Sequence, residues 1–156
     1  MSSYEIYIAY MTIVRKEIQR FMRIWVQTLL PPSITMVLYF IIFGNLIGSR
    51  IGQMGGFDYM QFIVPGLIMM SVITNSYGNV VSSFYSTKYQ GSLEEMLVSP
   101  TPNWVILAGY VTGGVARGLA VGAIVTSLSM FFTQLEIYNF GIIVLVVLMT
   151  SILFSL

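Results

Sequence analysis

Two stretches of this chain, residues 24–49 and 59–87, contain no Asp, Glu, Lys or Arg. Each is longer than the ~20 residues a helix needs to cross the ~30 Å hydrocarbon layer of a bilayer. A soluble domain carries about 25% charged residues because its surface faces water. Here only 8% are charged and 56% are hydrophobic. Inside lipid the backbone must satisfy its own polar groups, which only helices and closed barrels achieve. These runs are continuously apolar rather than alternating, so barrel strands are excluded. The fold class is therefore all-α integral membrane: an N-terminal interfacial amphipathic helix plus about four transmembrane helices, in one membrane domain over residues 1–156.

Residues 4–22 predict the amphipathic helix. At 100° per residue, Thr12, Arg15, Lys16, Gln19, Arg20 and Arg23 fall on one side, and Ile6, Tyr10, Val14, Ile18 and Phe21 on the other, with Glu17 near a border. A basic face opposite an aliphatic and aromatic one suits a helix lying in the membrane interface; packing on a protein partner is the alternative. Span one follows at 24–47. Trp25 marks its boundary, and Pro31 and Pro32 are expected to kink or locally unwind it. A short glycine-rich loop, 48–58, leads to span two at 60–84. There Asn75, Asn79, Ser82 and Ser86 are spaced to share one face, serving either as interhelical hydrogen-bonding groups or as a hydrophilic stripe along a substrate path.

Residues 88–103 form the one clearly polar internal segment. Ser92 followed by Glu95 predicts a capping box that starts a short helix, and Pro100 stops it. Leu93, Met96 and Leu97 share one side, with Glu94 and Glu95 flanking them. Such a helix is either a surface-lying connector or a docking element for another protein. Span three runs over 104–132 and contains Arg117. Gly114, Gly118 and Gly122 repeat every four residues, as do Gly109 and Gly113, so this helix is expected to pack closely against protein. A loop at 134–139 with Glu136 precedes a fourth apolar run, 140–156. That run is still continuing where the sequence stops, so the chain is expected to be C-terminally truncated.

Arg15, Lys16, Arg20 and Arg23 precede span one and Lys88 follows span two, whereas Arg50 is the only cation in the loop between the spans. The positive-inside rule then puts the N-terminus and residues 88–103 in the cytoplasm. The chain has no Cys and no His, and its net charge is +1. Thiolate and imidazole chemistry are therefore out, no metal or cofactor is implied, and there is no electrostatic case for nucleic acid. No paired carboxylates lie within the spans and no G-x-x-x-x-G-K-[ST] loop occurs, so no catalytic residue is assigned and ATP is not bound in the P-loop manner. Arg117 either snorkels, pairs with carbonyls or an interfacial carboxylate, or lines a path for an anionic substrate. Energy for uphill movement would have to enter from outside the bilayer, and residues 92–99 are the natural entry point.

The stretch KYQGSLEEMLVSPTPNWVILAGYVTGG, residues 88–114, resembles the Gly-Thr/Ser-Leu-Glu-x-Leu-Leu-x-x-Pro pattern of ABC-2 type transporter permeases. FMRIWVQT at 21–28, LLPPSITMVLYFIIFGNLIGSRIG at 29–52 and YMQFIVPGLIMMSVITNSYGNV at 59–80 are similar to bacterial inner-membrane members of that family. The resemblance implies a six-span permease that pairs as a homodimer and binds separate ATP-binding subunits on its cytoplasmic face. It places Ser92, Leu93, Glu94, Glu95, Met96, Leu97 and Pro100 in the segment that couples to those subunits. Spans five and six would lie beyond residue 156. The function expected is the membrane subunit of an ATP-driven exporter. The alternatives are a multi-span scaffold or assembly subunit that transports nothing, and an inactive permease fragment.

Overall fold

Apolar runs of this length are stable in lipid only as helices, and helices dominate the structure. It is a computed structural model that describes residues 2–48, 50, 53, 54, 56–133 and 139–156. Helix α1 (Ser3–Arg23) is started by Glu5, whose Oε2 accepts from the Ser2 N–H at 2.7 Å. Ile24 breaks the helix with φ −112° and ψ 34°. Helix α2 (Trp25–Ile41) then runs into a π-helical stretch, Ile42–Gly48. Two short antiparallel segments, β1 (Gln53–Met54) and β2 (Phe57–Asp58), pair Gln53 with Asp58 and Met54 with Phe57. Helix α3 (Tyr59–Tyr89) follows, then α4 (Ser92–Val98), α5 (Asn103–Phe132) and α6 (Phe140–Ser155). Much of the loop expected at 134–139, Glu136 included, lies outside the described residues, as do Ser49, Ile51, Gly52 and Gly55 of the loop at 48–58.

Three helical segments have the length and composition to cross a bilayer: Trp25–Gly48, Tyr59–Tyr89 and Asn103–Phe132. The chain is an all-α membrane protein. At 1.5 Å per residue, α3 and α5 are each about 45 Å long, well beyond the ~30 Å of hydrocarbon. Helix α4 joins the C-terminal end of α3 to the N-terminal end of α5.

Two expectations about local structure need correction. Of the kink or local unwinding expected at Pro31 and Pro32, the unwinding does not occur: both lie inside helix α2. Each proline removes one donor, leaving the carbonyls of Gln27 and Thr28 without their usual i+4 N–H; prolines are tolerated in spans of this kind. Ser92 is also not the cap of the short helix. Gly91 takes that place with φ +75°, and the Glu94 N–H donates to its carbonyl at 3.3 Å. A left-handed φ is open to glycine at little cost, so the turn from α3 closes one residue earlier than the Ser92–Glu95 pair suggests. At the other end, Ser99 is extended (φ −65°, ψ 153°), as a residue before proline should be.

Packing is organised around α5. Its first part receives α1, and the register advances by four on both helices: Ile13 lies on Gly109 and Glu17 on Gly113. A Cβ at Gly113 would stand 2.6 Å from Glu17 Cβ. The next glycines open onto other helices. A Cβ at Gly114 would meet Val80 Cγ2 of α3 at 2.7 Å and Ser155 Oγ of α6 at 2.5 Å. Gly118 lies against Ser76 of α3 and Ser151 of α6, and a Cβ at Gly122 would meet Val72 Cγ2 at 2.7 Å. Helix α6 shows the same logic from its own side. Among its residues only Ser151 and Ser155 are buried, while its large apolar side chains stay exposed for lipid or further protein. Between helices in lipid, burying Leu gains little, so small residues that admit a close backbone approach decide the contact.

At the opposite end of the spans the chemistry changes. Met36 and Phe40 of α2, Met60, Val64 and Leu67 of α3, and Val121 and Val125 of α5 form one apolar cluster. Phe40 stacks at a tilt on Phe132, with ring centroids 5.5 Å apart.

Gly118→Leu is expected to cost about 1–3 kcal/mol through overpacking. Thermal unfolding of the detergent-solubilised protein checks this. An unchanged midpoint would mean that α3 and α6 do not approach α5 at that glycine.

Candidate functional site

The i, i+4 row of α3 that faces the protein interior reads Ser71, Asn75, Asn79, Ser83, Thr87, all polar and all buried. A polar row inside a lipid-spanning bundle must find partners, because no water is there to supply them. Most of the row finds them on α1 and α5, while Ser71 Oγ is buried with no hydrogen-bond partner. Glu17 of α1 is only 1% exposed, and its Oε1 accepts from Ser83 Oγ at 2.6 Å. Its Oε2 pairs with Arg20 Nη2 at 3.3 Å. The same Nη2 donates to the Asn79 carbonyl at 3.1 Å and to Asn79 Oδ1 at 3.0 Å. One turn along α3, Asn75 Oδ1 accepts from Arg117 Nη2 at 3.4 Å, and Asn75 Nδ2 donates to the Ser71 carbonyl at 3.0 Å. Toward α4 the row ends at Thr87, whose Oγ1 accepts from Tyr110 Oη at 3.0 Å. Tyr10 Oη and Thr112 Oγ1, 2.8 Å apart, add a second link between α1 and α5.

The result is a polar seam at the α4-side end of the spans, tying α1, α3 and α5 together. It contains two guanidiniums and one carboxylate. Arg20 Nε, Arg117 Nε and Asn79 Nδ2 are buried without a hydrogen-bond partner. No group of His, Cys, Asp and Glu that could hold a metal occurs among the described residues. The seam's chemistry suits fixing helices and presenting positive charge.

Of the residues singled out in the sequence, Asn75, Asn79 and Arg117 join this seam. Ser82 and Ser86 do not share its buried row. Ser82 is exposed, donating to the Asn79 carbonyl at 3.1 Å, and Ser86 is half-buried, accepting from Gln90 Nε2 at 3.2 Å. At 100° per residue Ser82 and Ser86 stay within about 20° of Asn75, whereas the i+4 row advances about 40° at each step; the packed face of α3 follows the advancing row, so Ser83 and Thr87 lie inside. Gly109, Gly113, Gly114, Gly118 and Gly122 are all buried. Glu17, Arg20 and Tyr10 entered the sequence analysis only as faces of the amphipathic helix, and Ser83, Thr87 and Tyr110 not at all. A usable signal was present for Glu17: Tyr10, Val14, Glu17 and Phe21 follow i, i+4, i+7, i+11, placing the acid in the middle of the apolar row.

Helix α4 lies apart from the seam, at the turn joining α3 and α5. None of its residues is buried. Leu93 and Met96 are half-buried, while Glu94, Glu95, Leu97 and Pro100 are exposed. Ser99 Oγ donates to the Met96 carbonyl at 2.6 Å and holds the exit turn.

Against this architecture the comparisons with known proteins are direct. The family model described as ABC-2 type transporter matches residues 8–156. The chain belongs to the ABC-2 type transporter family. Among curated relatives it is 63% identical over 150 residues to the inner membrane transport permease YadH of Escherichia coli strain K12, a match covering 96% of this chain and 59% of the relative. The YadH proteins of Escherichia coli O157:H7 and Shigella flexneri match with the same figures. The chain thus spans 59% of the length of these relatives. No solved structure matches. The ABC-2 match begins inside α1 at residue 8, so the helix that supplies Glu17 and Arg20 falls within it, together with α2–α6.

Glu17→Ala would leave Ser83 and the inward face of Arg20 without their anion, and breaking a buried pair this way costs about 3 kcal/mol or more. Glu17→Gln keeps the shape and the Ser83 contact and is expected to cost less. Unfolding midpoints of both variants in detergent check the order; equal stability of Glu17→Ala and the native chain would show that α1 is not held by this seam.

Proposed function

We propose that this chain is the membrane-spanning part of an ATP-driven exporter of the inner membrane, with its N-terminus and α4 in the cytoplasm. A separate ATP-binding subunit hydrolyses the nucleotide and acts on α4. The observation that carries the reading is the family match together with 63% identity to a protein named as an inner membrane transport permease. The permease would work as a homodimer.

The geometry supports a mechanical route for the coupling. Helix α4 is continuous with α3 through the Gln90–Gly91 turn and with α5 through residues 99–102. Glu94 and Glu95 stand exposed on it, beside the exposed apolar Leu97 and Val98. Force applied there reaches α3 and α5 together, because Gly114, Gly118 and Gly122 keep them in close contact. The seam at Glu17 carries α1 along with them. Motion of such a packed group as a rigid body is one of the standard ways a local push becomes a change of access. The positive charge of Arg15, Lys16, Arg20, Arg23 and Lys88 on the same side supports the cytoplasmic assignment.

The test is co-purification in mild detergent of this chain with the ATP-binding subunit encoded with it. Reversing both charges (Glu94→Lys with Glu95→Lys) is expected to reduce retention of the ATPase about tenfold or more, because like-charge juxtaposition across an interface costs several kcal/mol. Abundance of the membrane chain should be unchanged, since neither residue is buried. Undiminished retention by the variant would remove α4 as the docking element. A native chain that inserts and folds, and whose full-length relative also retains no ATPase, would instead favour a scaffold role.

A further inference from the structure

Two guanidiniums share the seam with one carboxylate, and α3 holds each of them by an amide oxygen. Arg20 Nη2 is 3.0 Å from Asn79 Oδ1, and Arg117 Nη2 is 3.4 Å from Asn75 Oδ1, one turn away. Both arginines keep Nε buried and without a hydrogen-bond partner. Glu17 pairs with Arg20 at 3.3 Å, longer than the ~2.7–2.9 Å of a well-formed charged pair. The carboxylate is therefore only loosely committed to Arg20, and Arg117 has no carboxylate partner among the described residues.

Arg117 stands where it can take that carboxylate. Glu17 packs on Gly113, and its Oε2 is 3.5 Å from the place a Cβ at 113 would hold. The carboxylate thus fills the space of a side chain at 113. Arg117 follows that position by four residues, the spacing at which an acid and an arginine pair along a helix. A helical side chain also leans toward the N-terminus of its helix, here toward Gly113. Arg20 has the opposite freedom: it is half-buried at the border of the exposed Lys16 and Arg23, and a long cationic side chain can turn its head outward while its stem stays packed. We propose that Glu17 is a shared counter-ion, paired with Arg20 when that guanidinium is turned inward, as here, and passed to Arg117 when Arg20 turns out. In the first arrangement the carboxylate pairs within α1 and reaches α3 through Ser83; in the second it ties α1 to α5 by charge. Helix α1 stays attached in both, and no buried carboxylate is left unpaired. All three groups belong to this chain, so the exchange does not depend on the exporter reading.

A double-mutant cycle on the whole chain in mild detergent tests this, read as the thermal unfolding midpoint. Arg20→Gln imitates the departure of Arg20, and Arg117→Gln removes the reserve partner. Each alone leaves Glu17 one cation. Together they leave it none, so the double variant should lose about 5 °C or more beyond the sum of the two single losses, the scale of an uncompensated buried charge in a chain of this size. Additive losses would show that Arg117 never serves Glu17 and would overturn the proposal. Repulsion between the two guanidiniums could also make the losses non-additive, and repeating the cycle in a Glu17→Gln background separates the causes. There the excess should vanish; an excess that persists belongs to the arginines alone and overturns the shared counter-ion. If the double arginine variant is too unstable to purify, the triple variant with Glu17→Gln decides. Its recovery as a folded chain supports the exchange, and failure to recover would assign the loss to packing instead.

Discussion

The close approach of three helices to α5 is the constraint on which the arrangement rests. In water, two helices with leucine faces would be driven together by the removal of apolar surface. In a bilayer the lipid tails offer the same surface, and association must come from close van der Waals contact and from polar groups that have no other partner. Glycines at 109, 113, 114, 118 and 122 give α5 two bare strips. Neighbouring residues on a helix of 3.6 residues per turn point about 100° apart, so the pair 109/113 and the trio 114/118/122, offset by one position, do not face the same way. One strip takes α1, the other takes α3 and α6. Without the glycines, Glu17 would be held away from Ser83, and Ser151 and Ser155 would be held away from α5.

The polar seam depends on that proximity and in turn explains why α1 stays. A carboxylate that is 1% exposed is costly unless it is paired and hydrogen-bonded. Glu17 meets both conditions through Arg20 and Ser83. This makes α1 a different object from a helix floating freely in the headgroup layer. Its buried side is Val14, Glu17 and Phe21, while Ile18, assigned by periodicity to the apolar side, is 36% exposed. The basic flank remains outward, so α1 is at once a packed helix and a cationic surface.

The two ends of the spans differ in what holds them. Toward α4, small and polar side chains join α1, α3, α5 and α6. At the other end, methionine, phenylalanine and valine join α2, α3 and α5. Hydrogen-bonded contacts in low dielectric are discrete and directional, whereas apolar contacts tolerate sliding. Under the coupling proposed above, the stiffer chemistry lies next to α4, where a push would enter the spans.

Much of this was legible in the sequence. Uncharged runs longer than a bilayer leave the backbone no alternative to helix, so the class of fold and the sequence of long apolar helices followed from composition and order alone. The glycine spacing of α5 announced contact with protein, and residues 88–114 carried the family resemblance. What the sequence could not decide was partnership. A period of four identifies a bare strip but not the helix that covers it, and Glu17 looks like a border residue until α5 and α3 close around it. The same holds for Gly91, whose role as the α4 cap depends on where α3 stops. Asn75 and Asn79 were visible as polar residues in lipid; that Arg117 binds one and Arg20 the other was settled only when three helices, distant in sequence, were brought within hydrogen-bonding reach.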